Sequence, residues 1–179
     1  MKGQIFTIWS LLDPLYFRCT RLTYLANRDN IFRIRLTRYK GKKRILNDGT
    51  TIDKDDLLVK IHLHNVKLLA ELKDVKSEIK KAMITYQKVK TSLPGITQYI
   101  TNHQEGEKIK GIVGITLLTK GTQHLGFNSF PIKNPFYKLF KYLSFVPIAI
   151  LFGTNPFARK QDVPSYLLMS KETLQKMYH

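Results

Sequence analysis

Acid is what this chain has least of. Thirteen aspartates and glutamates face thirty lysines and arginines, a net charge of +17. From Lys108 to Gln161 there are eight basic side chains and no acidic one. Such a field points to an anionic partner: nucleic acid, an anionic membrane or a polyanionic glycan. Charge does not choose among them. Cysteine is almost absent. Cys19 stands alone, which excludes an internal disulfide and the zinc knuckles that need several ligands in register. No run reaches the roughly 18 apolar residues of a simple membrane span. The N-terminus begins like a signal peptide, but Asp13 and Pro14 cut its apolar run and no small-residue cleavage site follows. Motifs of common chemistry are missing too. Gly111-Ile112-Val113-Gly114 lacks the third glycine of a dinucleotide fingerprint. There is no zincin His-Glu-x-x-His and no nucleophile-elbow Gly-x-Ser-x-Gly.

What is present is enough apolar residue, 43%, to build a core, so wholesale disorder is not expected. The stretch from Leu57 to Leu93 organises it. Leu57, Val59, Ile61 and Leu63 alternate with Leu58, Lys60, His62 and His64, the period of a half-buried strand. Then Leu68, Leu72, Val75, Ile79, Met83, Tyr86 and Val89 recur every three or four residues. This predicts a helix from about Val66 to Thr91, roughly 39 Å long, with Asn65 as its N-cap and a stop at Ser92-Leu93-Pro94-Gly95.

The rest follows by the same rules. An amphipathic helical segment is expected over residues 1–26, part of the same unit, either covering the core or lying at a membrane interface with Trp9 and its tyrosines at the headgroup level. Residues 27–179 read as a single α+β domain. Phe32, Ile34 and Leu36 alternate with Arg33, Arg35 and Thr37 as a strand with a basic outer face. Asn47-Asp48-Gly49 marks a hairpin between short strands. A short helix is expected over Ile96 to His103 and a central strand over Ile109 to Leu118. A helical turn at Thr122 to Leu125 then leads to a short strand ending near Pro131. Asn134 caps a helix that Pro135 opens, with Phe136, Leu139 and Phe140 on its apolar side. Residues 143–153 are the most apolar run, either a buried core helix or a segment that dips into one leaflet through Phe145, Ile148 and Phe152, and the basic residues that flank it favour the second. A strand at Tyr166 to Met169 precedes a last helix capped by Ser170. The fold class is α+β: a small mixed or antiparallel sheet, one long helix packed across it, and additional short helices.

If Phe32–Arg38 pairs with Leu57–His64, then Arg33, Arg35, Lys60, His62 and His64 collect on one face, beside Asn65 at a helix start. An anion held there is more economical than a metal, which would need a third ligand from His103, His124 or Asp53, Asp55 and Asp56. No metal site is assigned and no cofactor is named by these residues. Thr116 and His124, at the end of the central strand, are further ligand-binding candidates.

Several stretches together, Leu11-Leu12-Asp13-Pro14, Ile61-His62-Leu63-His64-Asn65, Gly114-Ile115-Thr116-Leu117-Leu118, His124-Leu125-Gly126-Phe127 and Leu168-Met169-Ser170 through Leu174 to Tyr178, resemble the YkoP-like domain. This small bacterial domain occurs alone or fused behind polysaccharide deacetylase domains, and is often encoded near glycosyltransferases. The resemblance covers nearly the whole chain. It implies work at the cell envelope beside polyprenyl-linked or polymeric saccharides. The deacetylase's Asp-His-His metal site is not in this chain, so deacetylation does not transfer. The expected function is an accessory or anionic-ligand-binding domain, cytoplasmic and peripheral to the inner face of the membrane, with an anionic membrane surface or lipid-linked saccharide as partner. The alternatives are a soluble RNA- or DNA-binding protein and a small transferase with His62 or His64 as general base.

Overall fold

The computed structural model describes residues 22–25, 29–117, 119–141 and 163–179. Most of the expected N-terminal helix lies outside them, as do Trp9, Phe145, Ile148 and Phe152. The strands are β1 (Thr23–Tyr24), β2 (Phe32–Arg38), β3 (Arg44–Ile45), β4 (Thr51–Ile52), β5 (Leu57–Leu63), β6 (Ile109–Thr116), β7 (Asn128–Pro131) and β8 (Ser165–Ser170). Helices are α1 (Asn65–Leu72), α2 (Glu78–Asn102), α3 (residues 135–141) and α4 (Lys171–Tyr178). Six strands form one mixed sheet in the order β1-β2-β5-β6-β8-β7, and β3-β4 make a separate hairpin. This is the α+β architecture that the alternating and helical periods imply.

β2 and β5 pair antiparallel from Phe32 opposite Leu63 to Arg38 opposite Leu57. β6 lies parallel to β5 and antiparallel to β8. Parallel neighbours need a long crossover, and α1 with α2 supplies it. On one face of the sheet Ile34, Val59, Ile61 and Ile112 meet Leu93, Ile96 and Ile100 of α2 and Leu174 and Tyr178 of α4. On the other, the hairpin side covers Leu58, Val113 and Leu168 with Tyr39, Leu46 and Ile52. The strand β6 is thus central and covered on both faces, as its lack of clean alternation suggests.

The long helix departs from expectation at both ends. α1 stops at Leu72, and α2 begins afresh after Ser77, whose hydroxyl accepts from the Lys80 amide at 3.3 Å. Val75 kept the helical spacing in the sequence, yet Ser77 followed by Glu78 is a start signal with its own cap and a favourable first-turn charge. Ile79 and Met83 of the supposed buried stripe are exposed. α2 then runs straight through Pro94 to Asn102, absorbing the expected short helix. Lys90, whose carbonyl loses its bond to Pro94, lies on the exposed side of the helix. Ser92 holds that turn in place: its hydroxyl accepts from the Ile31 amide at 3.1 Å and its carbonyl from the Asn30 side chain at 2.7 Å. Asn65 is not a cap. It is the first residue of α1, with His64 at the cap position and no capping side-chain bond. The end of the expected N-terminal helix is strand: Thr23 and Tyr24 pair with Ile34 and Arg33.

The C-terminal prediction holds. Ser170 caps α4 through the Thr173 amide at 2.9 Å. Its hydroxyl also donates to the Asp48 carboxylate, which accepts from Thr173 Oγ1 at 2.7 Å as well. The Asn47-Asp48-Gly49 turn is thereby tied to the start of a helix, where a carboxylate is favoured. Burial is the largest influence on Asp48 and pushes its pKa up. The bonds from Ser170, Thr173 and Thr50 together outweigh it and hold the group at about 2.

Gly111 lets two backbones meet. It follows a bulge, since Leu57 pairs with Ile109 and Leu58 with Gly111. A Cβ there would sit 2.2 Å from the Met169 carbonyl oxygen. The substitution Gly111→Ala is therefore expected to cost about 3 kcal/mol in urea unfolding. A loss within about 0.5 kcal/mol, the range of an ordinary surface change, would contradict this packing.

Candidate functional site

The β2–β5 register sets the candidate face from the backbone up. Arg33 lies opposite His62, and Arg35 opposite Lys60. Directly opposed side chains in such a pair have Cβ atoms roughly 5 Å apart. β1 adds Tyr24 beside Arg33, with the guanidinium 5.1 Å from the ring centroid. On the far side, β6 pairs Ile115 with Tyr166, and β7 pairs Phe130 with Tyr166. Extending the parallel register of Lys60 with Val113 by two residues brings Ile115 level with His62. One row therefore crosses the whole sheet: Tyr24, Arg33, His62, Ile115, Tyr166, Phe130.

α3 lies over this face. Asn134 caps it, accepting from the Tyr137 amide at 2.9 Å. Tyr137 stacks on Tyr166 at 6.4 Å between centroids, and Tyr39 meets Tyr166 edge-on. One helical turn after Tyr137 comes Lys141, which acts electrostatically on Lys60 and His62. The face thus has a cationic end on β2 and β5 and a tyrosine end on β8, two strand spacings or roughly 10 Å apart.

The cations strain one another. Burial, then Lys141 and Arg35, bring the Lys60 amine down to about 8. Burial and Arg35 also lower Lys141. Burial, then Lys60, Arg35, Lys141 and Arg33, push His62 down to about 3, so it is neutral at ordinary pH and too weak a base for efficient proton abstraction. At the other end burial, then Tyr137, raise Tyr166 to about 12. Among the described residues no carboxylate pairs with Lys60. A compact anion is the species that would relieve this face.

The other sequence candidates divide. His64 sits just past β5, its amide bonded to the Ile31 carbonyl at 2.7 Å and its ring edge-on to Tyr24, at the edge of the same face. Asn65 follows it in the first turn of α1. Thr116 belongs to the last position of β6 and, by alternation, to the opposite face from Ile115. His124 is exposed in the 3-10 turn before β7. That edge is three strands from β5 in the sheet order, roughly 14 Å away, so His124 does not join His62. Among the described residues no group of three or more His, Cys, Asp and Glu has the placement to hold a metal ion. The basic loop read for nucleic acid is partly neutralised: Lys40 pairs with Asp55 at 2.6 Å and Lys43 with Asp53 at 3.5 Å. Sequence reasoning missed Tyr24, Tyr137, Tyr166 and Lys141. Only the four-residue spacing of Tyr137 and Lys141 after the Asn134 cap was there to be noticed.

A cleft of about 280 Å³ lies elsewhere, lined by Asp48, Gln123, Asn128 and Thr173 among others. Its one carboxylate is already bonded to Ser170 and Thr173, which makes it a pin between the hairpin and α4.

Comparison with known proteins agrees with the sequence resemblance. The model of the YkoP domain matches residues 2–178. A Bacillus subtilis (strain 168) protein, "Uncharacterized protein YkoP", is 49% identical over 179 residues, spanning 99% of this chain and 98% of the relative. No solved structure matches.

Linkage makes the cation strain measurable. Lys60 titrates near 8 in the fold and near its ordinary 10.5 when unfolded. Between these values the unfolded chain holds the extra proton, so stability rises with pH. Below 8 the full penalty is present. Tyrosines, raised in the fold, act in the opposite sense above their ordinary 10, so the clean window is pH 8 to 10. There the parent is expected to gain about 1 kcal/mol, allowing for solvent screening. Lys60→Met should remove most of that rise in urea unfolding at each pH. Identical slopes for parent and variant would show that Lys60 carries no such strain.

Proposed function

The chain belongs to the YkoP domain family, and we propose that it uses the β2–β5 face to bind an anionic saccharide, specifically the phosphate ester of a sugar. The observation that carries this is the register that sets Arg33, Arg35, Lys60 and His62 side by side, with Lys141 above them and tyrosines beyond. Like charges at neighbouring strand positions are unfavourable, and a phosphate between them turns repulsion into charge-assisted hydrogen bonds. Tyr166 and Tyr137, two strand spacings away, offer flat apolar surfaces with hydroxyl tips, the combination that suits a sugar ring. Arg33 and Arg35 supply planar donor forks matched to phosphate oxygens.

In this reading the protein is an accessory or ligand-binding domain at the cytoplasmic face of the membrane, linked to cell-envelope polysaccharide metabolism. The link is supported by the resemblance to a domain found fused behind polysaccharide deacetylases. Contact with the membrane is peripheral; among the described residues no helix is long and apolar enough to cross one. No catalytic step is assigned to the face.

Calorimetric titration with glucose 1-phosphate, glucose, inorganic phosphate and a short single-stranded RNA tests the proposal. Glucose 1-phosphate should bind more tightly than inorganic phosphate, and glucose not at all. Arg35→Gln and Lys60→Gln should each weaken it about tenfold, or about 1.4 kcal/mol. Binding of RNA alone, or glucose 1-phosphate binding that ignores both substitutions, would overturn the assignment.

A further inference from the structure

α3 has two stripes with different duties. Tyr137 and Lys141, four residues apart, turn to the sheet, where Tyr137 stacks on Tyr166 and both side chains are half-buried. Phe136, Leu139 and Phe140 turn the other way and are 84%, 57% and 61% exposed. Two phenylalanines and a leucine on one short outward stripe form an apolar patch of the sort that marks an interaction surface. Nothing among the described residues requires it for the core: Phe136, Leu139 and Phe140 belong to neither buried cluster.

The charge around the patch selects its partner. Lys133 precedes it and is exposed, and the Lys141 amine borders it, 5.6 Å from the Phe140 ring centroid. The sequence from Lys108 to Gln161 has no acidic residue. An apolar stripe with a lysine at each end and no acid nearby in sequence complements an anionic lipid surface, where aromatic and leucine side chains enter the acyl boundary and lysines meet headgroup phosphates. The chain also passes directly from this helix into residues 143–153, its most apolar run.

We infer that Phe136, Leu139 and Phe140 dock the domain on an anionic bilayer, with the inner stripe of α3 still packed on the sheet. This rests on the reading of the β2–β5 face as a sugar-phosphate site, and it names the source of the ligand. A helix with its side chains is roughly 10 Å across, so docking through the outer stripe sets Lys60 and Arg35 about that far from the acyl boundary. The polar headgroup layer is roughly 5–8 Å deep, so these cations sit at its outer edge, within reach of a phosphate that projects from it. The ligand is then a phosphate-linked sugar carried on a membrane lipid, presented to the face from the bilayer and steadied against Tyr166.

The test is sedimentation with vesicles of phosphatidylcholine alone and of phosphatidylcholine with phosphatidylglycerol, at low and high salt. Full-length parent is compared with Phe136→Ser, Phe140→Ser and with Arg35→Gln, Lys60→Gln. Both phenylalanines are exposed, so the first variant should keep the parent's thermal unfolding and its affinity for glucose 1-phosphate. The parent should bind phosphatidylglycerol vesicles and remain bound at high salt. The phenylalanine variant should lose at least about tenfold in partitioning, in line with the apolar area it gives up. Failure of the parent to bind, complete release by salt, or parent-like binding by the phenylalanine variant would overturn the inference. Vesicle binding that needs the phenylalanines, in a protein that ignores glucose 1-phosphate, would uphold the docking face and defeat the sugar-phosphate reading alone.

Discussion

The register of β2 on β5 fixes the core and the charged face together. Seven consecutive residue pairs define it. Ile34 on Ile61 and Leu36 on Val59 turn to α2, while Arg33 on His62 and Arg35 on Lys60 turn away. In a strand the side-chain period is two, so a slip of one residue on β2 would send its arginines under the helix and its apolar residues to the other face. The core cannot form without assembling the cations, and the cations cannot disperse without dismantling the core. Every other part of the site hangs on this pairing: β1 extends it with Tyr24, β6 and β8 carry it to Tyr166, and α3 closes over it.

Such a face does not hold itself together. The like charges of Arg35 and Lys60, directly opposed on neighbouring strands, cost on the order of 0.2–1 kcal/mol, and burial adds to that for Lys60 and holds His62 neutral. The opposite face supplies the compensation. Ile34, Val59 and Ile112 are fully buried, and each such side chain contributes about 1.5–3 kcal/mol. The fold can thus sustain a local arrangement that opposes stability. A cluster that breaks the rule of dispersed charge, where the rest of the sheet obeys the rules of burial and alternation, is where a ligand is to be sought.

Which residues share a face was legible because the period is local. Phe32 to Leu36 and Leu57 to Leu63 each display it without reference to the rest of the chain. The limits of the long helix were not. Val75 continued the helical spacing across the break, and the cap at Ser77 was a weaker signal than the stripe it interrupted. Pro94 read as a stop because local propensity says so. Burial of Leu93, Ile96 and Ile100 and the bonds of Ser92 to Asn30 and Ile31 override it, and those contacts span about sixty positions of sequence. The tyrosine end of the site was hidden for the same reason. No spacing couples Tyr137 to Tyr166; they meet because β8 lies beside β6 and α3 crosses above. Thr116 and His124 misled in the reverse way. They are close in the chain, but one faces the other side of the sheet and the other sits at its far edge.

The shape of the charge argues about the ligand more sharply than its total does. A net charge of +17 suits nucleic acid as well as it suits a membrane. Nucleic-acid backbones, however, need a stripe of cations that follows successive phosphates, with aromatic platforms along it. The cations of the loop after β2 are partly matched by Asp53 and Asp55, which interrupts such a stripe. The cations of the β2–β5 face are compact instead: Arg33, Arg35 and Lys60 on adjoining strands and Lys141 from above, bounded on one side by stacked tyrosines. A divalent metal is the wrong sign for that surround, because the charges that hold His62 neutral also repel a cation. One phosphate with one ring attached fits both ends of the face. In the docking we infer, the exposed phenylalanines on the far side of the same helix bring that face to a bilayer.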